Sequence, residues 1–351
     1  MKFIPFILFF VFITVSFSAF SSDEVLIGKS TVIDPNKGRE MTYAFSTGKI
    51  FIYSRPHPFH FVSALPNDYA TYSKKTFRKS QLLNFGMIAG GTLILYAFDD
   101  QILQAAKNVG STFNLAGTSN QTAIIDGKII IAKQKIPIQF NVPTDINSAM
   151  YFLGDGWTHT TIALSFWAAG LISKDNRELQ TASQLGEAIL TTGIATQFLK
   201  HITGRESPYT TTVPRGVWRF FPNQKVYADH VPNHDAFPTG HLATAMATVT
   251  VIAENYPEKK FIRPIGYSLM GLLGFAMLNN GVHWASDYPL GIAIGYSFAK
   301  IAVNRGRVVV DSKNEIQHSM NEQKFKFKPT FFPSYQSGIP GVGVNWLLVK
   351  K

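Results

Sequence analysis

The chain has 351 residues, 46% of them hydrophobic, which is enough apolar side chain for a sizeable core and excludes a disordered polypeptide; length alone suggests about two domains. It contains no cysteine, so disulfides and cysteine-ligated metal centres are excluded whatever the compartment. A formal net charge of +11 favours anionic partners, meaning phosphate groups or a membrane surface in preference to nucleic acid.

The first residues, MKFIPFILFFVFITVSFSAFSSDE, give one lysine, an apolar run of about a dozen residues, then small polar residues and two acids. This is the pattern of a secretory signal peptide over residues 1–21, cut near Ala19 to Ser21. The run falls short of the ~20 residues that a membrane span needs. The chain is therefore expected to be exported, and to be periplasmic or associated with the membrane of the cell envelope. Residues 22–79 are polar and interrupted by Pro and Gly, with alternating pieces such as KIFIYSR, and read as an irregular or β-containing arm.

From Ser80 the texture changes. SQLLNFGMIAGGTLILYAFDDQILQAAKN repeats its apolar residues at helical spacing, with Asp99 and Asp100 interrupting them. Residues 110–143 read as a hairpin or extended excursion with Asp126 and Gly127 at the turn. Helices are then expected over about 145–173, 180–202, 240–255, 261–280 and 283–304. The predicted class is mainly α: a helical bundle core over residues 80–310 with β-containing N- and C-terminal arms. The tail, 311–351, is aromatic and strand-like and is expected to pair with the N-terminal arm.

Residues 264–286 hold 23 positions free of Asp, Glu, Lys and Arg, and 156–173 hold 18, long enough for a span. Both also carry His, Ser or Thr and Gly, and the mean hydropathy of the chain is only +0.06. The balance favours a soluble or membrane-peripheral protein over an integral one.

Three short pieces carry chemistry. In FLKHITGRESPY, Lys200 lies on the last turn of a helix, with Arg205 in the loop beyond Gly204. In DAFPTGH, His241 follows Thr239 and Gly240 at a helix start, where backbone N–H groups point at anions. In NNGVHWASDYPLG, His283 and Asp287 are four apart and are expected to share one helix face. The carboxylate would hold one imidazole nitrogen and leave the other free as base or nucleophile.

In this order the pieces resemble the type 2 phosphatidic acid phosphatase superfamily, whose signature is Lys-x6-Arg-Pro, Pro-Ser-Gly-His and Ser-Arg-x5-His-x3-Asp. The resemblance covers about residues 145–303. It implies a helical bundle that hydrolyses a lipid phosphate or other phosphate monoester without metal or other cofactor. It also implies roles: His283 attacks phosphorus, Asp287 orients it, and His241 protonates the leaving oxygen. Lys200 and the backbone amides around Thr239 and Gly240 would hold the phosphoryl oxygens. Two family arginines are missing, since Ser207 and Met277 stand at their positions. Arg205 is expected to substitute as a phosphate ligand. The competing reading is a non-catalytic relative that binds a phosphate-bearing lipid; a vanadate-dependent haloperoxidase is a distant third. His230, His234 and Asp235 have metal-ligand spacing, but Pro232 argues for a loop. His159, with Asp155 and Trp157, is assigned to helix packing, and His57 and His60 to arm loops. Oligomeric state is not legible.

Overall fold

The computed structural model describes residues 26–34, 38–131, 134–311, 325–336 and 339–350, so the signal peptide expected at 1–21 lies outside the described residues. The fold is mainly α, with small antiparallel sheets towards both ends of the chain. Strands β1 (Leu26–Asp34), β2 (Gly38–Phe45) and β3 (Lys49–Tyr53) lead into helices α1 (His60–Ser63) and α2 (Leu65–Thr76). Helices α3 (Leu82–Ala97) and α4 (Asp99–Thr112) meet at a 67° bend, after which β4 (Gln121–Ile131) and β5 (Gln134–Pro143) form a hairpin. The bundle continues with α5 (Ile146–Phe152), α6 (Gly156–Ser173), α7 (Asn176–Thr203), α8 (Gln224–Asp229), α9 (Gly240–Asn255), α10 (Ile262–Asn279) and α11 (Tyr288–Gly306). Strand β6 (Val308–Asp311) and the hairpin β7 (Phe325–Gln336) with β8 (Ile339–Lys350) complete the chain.

Helix α7 is the pillar of the bundle. The Asp175 side chain caps its start by accepting from the Arg177 amide at 2.9 Å, and Gly204 ends it at φ 53°, a left-handed conformation that glycine adopts without a Cβ penalty. Its Leu185 and Ala188 pack against Ala247 and Val251 of α9 and Ala299, Ala302 and Val303 of α11. Small residues set how near these helices come. A Cβ on Gly295 would stand 1.9 Å from the Ala243 carbonyl oxygen, and one on Gly291 would stand 2.5 Å from that of Thr239. Glycine at both positions therefore draws the start of α11 onto the start of α9. A second core joins Ile102 and Ala106 of α4 to Leu242 of α9 and to Leu273, Met277 and Leu278 of α10.

Alternate residues Met41, Tyr43, Phe45, Phe51 and Tyr53 bury one face of the sheet β1-β2-β3-β6, as the two-residue period of a strand requires. Tyr43 and Lys29 hydrogen-bond the same Asp175 carboxylate that caps α7, which ties the sheet to the bundle.

Several local expectations are corrected. The arm is helical in its second half, with His60 opening α1, because Pro66 at the first turn of α2 favours a helix start. The expected hairpin forms, but Asp126 and Gly127 pair in mid-strand with Gln139 and Ile138 and do not make the turn. The helix expected over 145–173 is two, since Asp145 and Asp155 each cap a separate start. Among the described residues of the C-terminal part, Val308–Asp311 joins the N-terminal strands, while β7 and β8 pair with each other. His283 precedes α11, and Asp287 lies in the short 3-10 turn Ala285–Asp287, so they do not share an α-helical face.

Candidate active site

Three chain reversals place the motif residues at one end of the bundle. The first is the left-handed Gly204 that ends α7, just after Lys200. The second is the N-terminus of α9. Thr239 is its cap, and the Thr239 hydroxyl lies 3.5 Å from the Leu242 amide it accepts from and 3.6 Å from the Met277 sulfur. The Thr239 amide donates to the Asp287 carbonyl at 3.1 Å. Of the orphan donors that open every helix, this leaves the Gly240 and His241 amides without an acceptor among the described residues. Lys200 points at that turn, since a Cβ on Gly240 would lie 3.9 Å from its Nζ. The third reversal, from Gly281 at φ 68° to Asp287, turns the chain back into α11 and carries His283 inward.

His283 is 4% exposed, and its Nδ1 lies 2.7 Å from the Ala236 carbonyl and 3.4 Å from Asp287 Oδ2. Donation from Nδ1–H to that carbonyl leaves a lone pair on Nε2, which has no hydrogen-bond partner among the described residues. The main chain is thus the nearer orienting group, and the Asp287 carboxylate is the farther one. Asp287 Oδ2 also accepts from the Trp284 amide at 2.7 Å, which closes the turn.

The rings of His241 and His283 lie 6.1 Å apart at 70°, and the Tyr151 ring packs 4.8 Å from that of His241. Burial pushes the His241 imidazole down to about 3, aided by the positive charges of His283, Lys200 and His159. Without an anion the site therefore holds His241 neutral. An anion bound beside the ring would act in the opposite direction.

Arg205 does not reach this space. Its fully buried guanidinium donates through Nη1 to Ser286 Oγ at 2.7 Å and to Asp287, and through Nη2 to Asp99 Oδ2 at 2.7 Å. Tyr96, Trp218 and Trp284 enclose it at 4.9–5.3 Å. The expectation that Arg205 binds phosphate gives way to a scaffold role, because two buried carboxylates already hold its two terminal nitrogens and three rings enclose it. Its main chain contributes as well, since the Arg205 carbonyl accepts from the Ala236 amide at 2.9 Å. The positions of the two family arginines are closed: Ser207 is 4% exposed in the loop, and Met277 is fully buried in the core.

Lys200 Nζ is held by Asp235 Oδ2 at 2.8 Å, and Asp235 Oδ1 accepts from the Tyr227 hydroxyl at 2.6 Å. His234 stacks on Tyr227 at 5.7 Å. Among the described residues no three His, Asp or Glu side chains stand together as a metal site. Sequence reasoning gave no role to Ala236, Asp99, Ser286, Tyr151 or the Asp235 to Lys200 pair. Asp99 alone carried a signal, as an acid inside an apolar helical pattern that must find a partner once buried.

Residues 181–308 match the family model described as the PAP2 superfamily, and that span holds Lys200, Thr239, Gly240, His241, His283 and Asp287. Over 62 residues the chain is 34% identical to a lipid A 1-phosphatase of Porphyromonas gingivalis; the stretch is 17% of this chain and 14% of that protein. No solved structure matches the chain significantly.

Proposed function

We propose, from the premise that residues 181–308 are a PAP2 superfamily domain, that the chain is a cell-envelope phosphatase acting on a lipid phosphate or another phosphate monoester through a phosphohistidine. The observation that carries this reading is the state of His283. Its Nδ1 is engaged by Ala236, its Nε2 has no hydrogen-bond partner among the described residues, and its ring lies 6.1 Å from that of His241.

In this mechanism the Nε2 lone pair bonds to phosphorus as the ester P–O bond breaks, and His241 gives its proton to the departing oxygen. Water then attacks phosphorus and passes a proton to His241; the N–P bond breaks and orthophosphate leaves. Lys200 and the Gly240 and His241 amides hold the phosphoryl oxygens, donors fixed before the reaction where charge accumulates. Asp287 stabilises the cation that His283 becomes. Arg205 positions Asp287 and Ala236 and touches no substrate. No cofactor has a role in these steps.

A lipid substrate and an envelope location are supported by side chains left in solvent: Leu83, Leu93 and Ile94 on α3, Trp167 and Ile172 on α6, and Ile265 and Leu272 on α10. Together with the net charge of +11 they suit an anionic membrane surface. No single helix among the described residues is long and apolar enough to cross a membrane, although the bent pair formed by 79–97 and α4 passes the same test of length and composition. One observation favours a non-catalytic phosphate binder instead, namely that Lys200 is already paired with Asp235. The deciding experiment gives the purified protein a labelled phosphate ester with EDTA present and quenches in acid. An acid-labile, base-stable label that disappears in His283→Ala is expected; label persisting in that variant rejects the assignment.

A further inference from the structure

Charge around the candidate site is arranged unusually for a protein that must hold phosphate. Among the described residues, Lys200 is the cationic side chain that acts on His241 alongside the histidines His283 and His159. It is not a spare cation, because Asp235 Oδ2 lies 2.8 Å from its Nζ. Arg205 is consumed between Asp99 and Asp287. The side chains nearest the Gly240 turn therefore bring one positive and one negative charge, so the cleft facing phosphorus is close to neutral.

Asp235 cannot easily leave. Its second oxygen accepts from Tyr227, which is buried and whose own hydroxyl oxygen accepts from Gln197 at 3.0 Å. Its main chain is fixed too, since residue 235 bridges to Arg205 and the next amide donates to the Arg205 carbonyl. The carboxylate is nevertheless within reach of the cleft: its side chain is 27% exposed, and its charge adds to the raised hydroxyl pKa of Tyr151, beside His241, after burial and Asp155, and to that of Tyr209, after burial. The titratable groups around it are thus Lys200 from α7, Tyr227 from α8, Tyr209 from the loop and Tyr151 from α5, with His241 and His283 across the cleft and a second carboxylate, Asp155 at the start of α6, acting on the same Tyr151.

We infer that Asp235 is a specificity-determining residue that restricts the site to phosphoryl groups carrying a single negative charge. Such a group is either a phosphodiester or a phosphomonoester in its monoprotonated form. The inference rests on the phosphatase reading above. A dianionic monoester places its second charge within a few ångströms of a fixed carboxylate in a partly buried site, where screening by water is weak. A monoanion meets Lys200 and the two free amides without that repulsion. On a diester the same chemistry gives a balanced outcome: His283 Nε2 bonds to phosphorus, one P–O bond breaks and that alcohol leaves. Water then cleaves the N–P bond to release the phosphomonoester of the second alcohol.

The test compares 4-nitrophenyl phosphate with bis(4-nitrophenyl) phosphate at about pH 5 and about pH 8, on either side of a monoester's second ionisation. Both lose the same nitrophenolate, so the ratio of their kcat/KM values isolates substrate charge from the titration of His241 or His283. In the wild type, the monoester-to-diester ratio is expected to fall at least about tenfold as pH rises, and Asp235→Asn is expected to restore it at the higher pH. A ratio that is flat with pH in the wild type, or that Asp235→Asn leaves unchanged, overturns the proposal. The wild-type arm stands alone if that variant fails to fold. Turnover of neither substrate rejects the phosphatase reading. Charge selectivity is then read by calorimetry at the higher pH with phenylphosphonate, a dianion, and its monomethyl ester, a monoanion. Tighter binding of the monoanion upholds the role of Asp235, and equal or tighter binding of the dianion overturns it.

Discussion

Arg205 donates to Asp99 across 106 residues of chain, with both side chains fully shielded from solvent, and thereby fastens the bend between α3 and α4 to the floor of the candidate site. Breaking a buried pair by removing one partner leaves an uncompensated charge and typically costs about 3–5 kcal/mol. Asp99→Ala is therefore expected to lower unfolding stability by that order, and Arg205→Lys to cost nearly as much, because an ammonium cannot reach Asp99, Ser286 and Asp287 together. Denaturant titration reads both. A change below about 1 kcal/mol in either variant would show that the pair is not fixed as described.

The same Arg205→Lys variant separates a scaffold from a ligand. On the proposed mechanism a positioning residue acts through His283, so turnover should fall while KM for a phosphate ester stays near its wild-type value. A KM raised about tenfold with kcat intact would instead return Arg205 to the phosphate.

His241 should matter according to the leaving group. General acids contribute about a hundred- to ten-thousandfold, and least when the departing alcohol is itself acidic. His241→Ala is expected to cripple alkyl phosphate hydrolysis and to spare nitrophenyl phosphate, as steady-state rates on the two substrates would read. Equal losses would place His241 in binding rather than proton transfer.

His159 gives a pH dependence independent of catalysis. It is 3% exposed and shares a 2.9 Å hydrogen bond with Thr248, and burial pushes its imidazole down to about 4 from the ordinary 6.5. Between those values the unfolded chain binds a proton that the folded one refuses, so stability is retained above about pH 6.5 and lost as pH falls towards about 4. The full loss is about 3 kcal/mol. His159→Gln should make this limb of a pH series of denaturant titrations shallower, with buried His241 keeping a slope of the same sign; a slope equal to that of the wild type would show that His159 is protonated in place.

Close packing of α9 on α11 is testable at Gly295. Any side chain there meets the Ala243 carbonyl, so Gly295→Val should force the helices apart and destabilise by about 1–3 kcal/mol or more. Because Gly291 makes the matching approach at Thr239, activity should fall further than stability alone explains; a stable and fully active variant would contradict the geometry.

Much of the site was legible because its pieces are local. Thr239, Gly240 and His241 announce a capped helix start by residue type alone, and the four-residue spacing of His283 and Asp287 brings them together even though a 3-10 turn, not an α-helix, does so. The fate of Arg205 was not legible. Its partners Asp99 and Asp287 lie 106 and 82 residues away, and nothing in a loop arginine indicates whether it faces substrate or core. The pairing of Lys200 with Asp235 was hidden for the same reason, with 35 residues between them. Asp126 and Gly127 misled because Asp-Gly favours a turn locally, whereas the apolar isoleucines that follow extend the strand past it.

The Ala236 peptide receives the His283 Nδ1 proton on its oxygen and passes its own N–H to the Arg205 carbonyl. Main-chain atoms survive almost every codon change. The orientation of the His283 ring is accordingly insulated from drift at neighbouring side chains: Asp287→Asn would alter the farther partner of Nδ1 yet leave the nearer one, the Ala236 carbonyl, in place. Sequences could therefore exchange much of the surrounding electrostatics, arginines included, and still inherit a correctly presented imidazole.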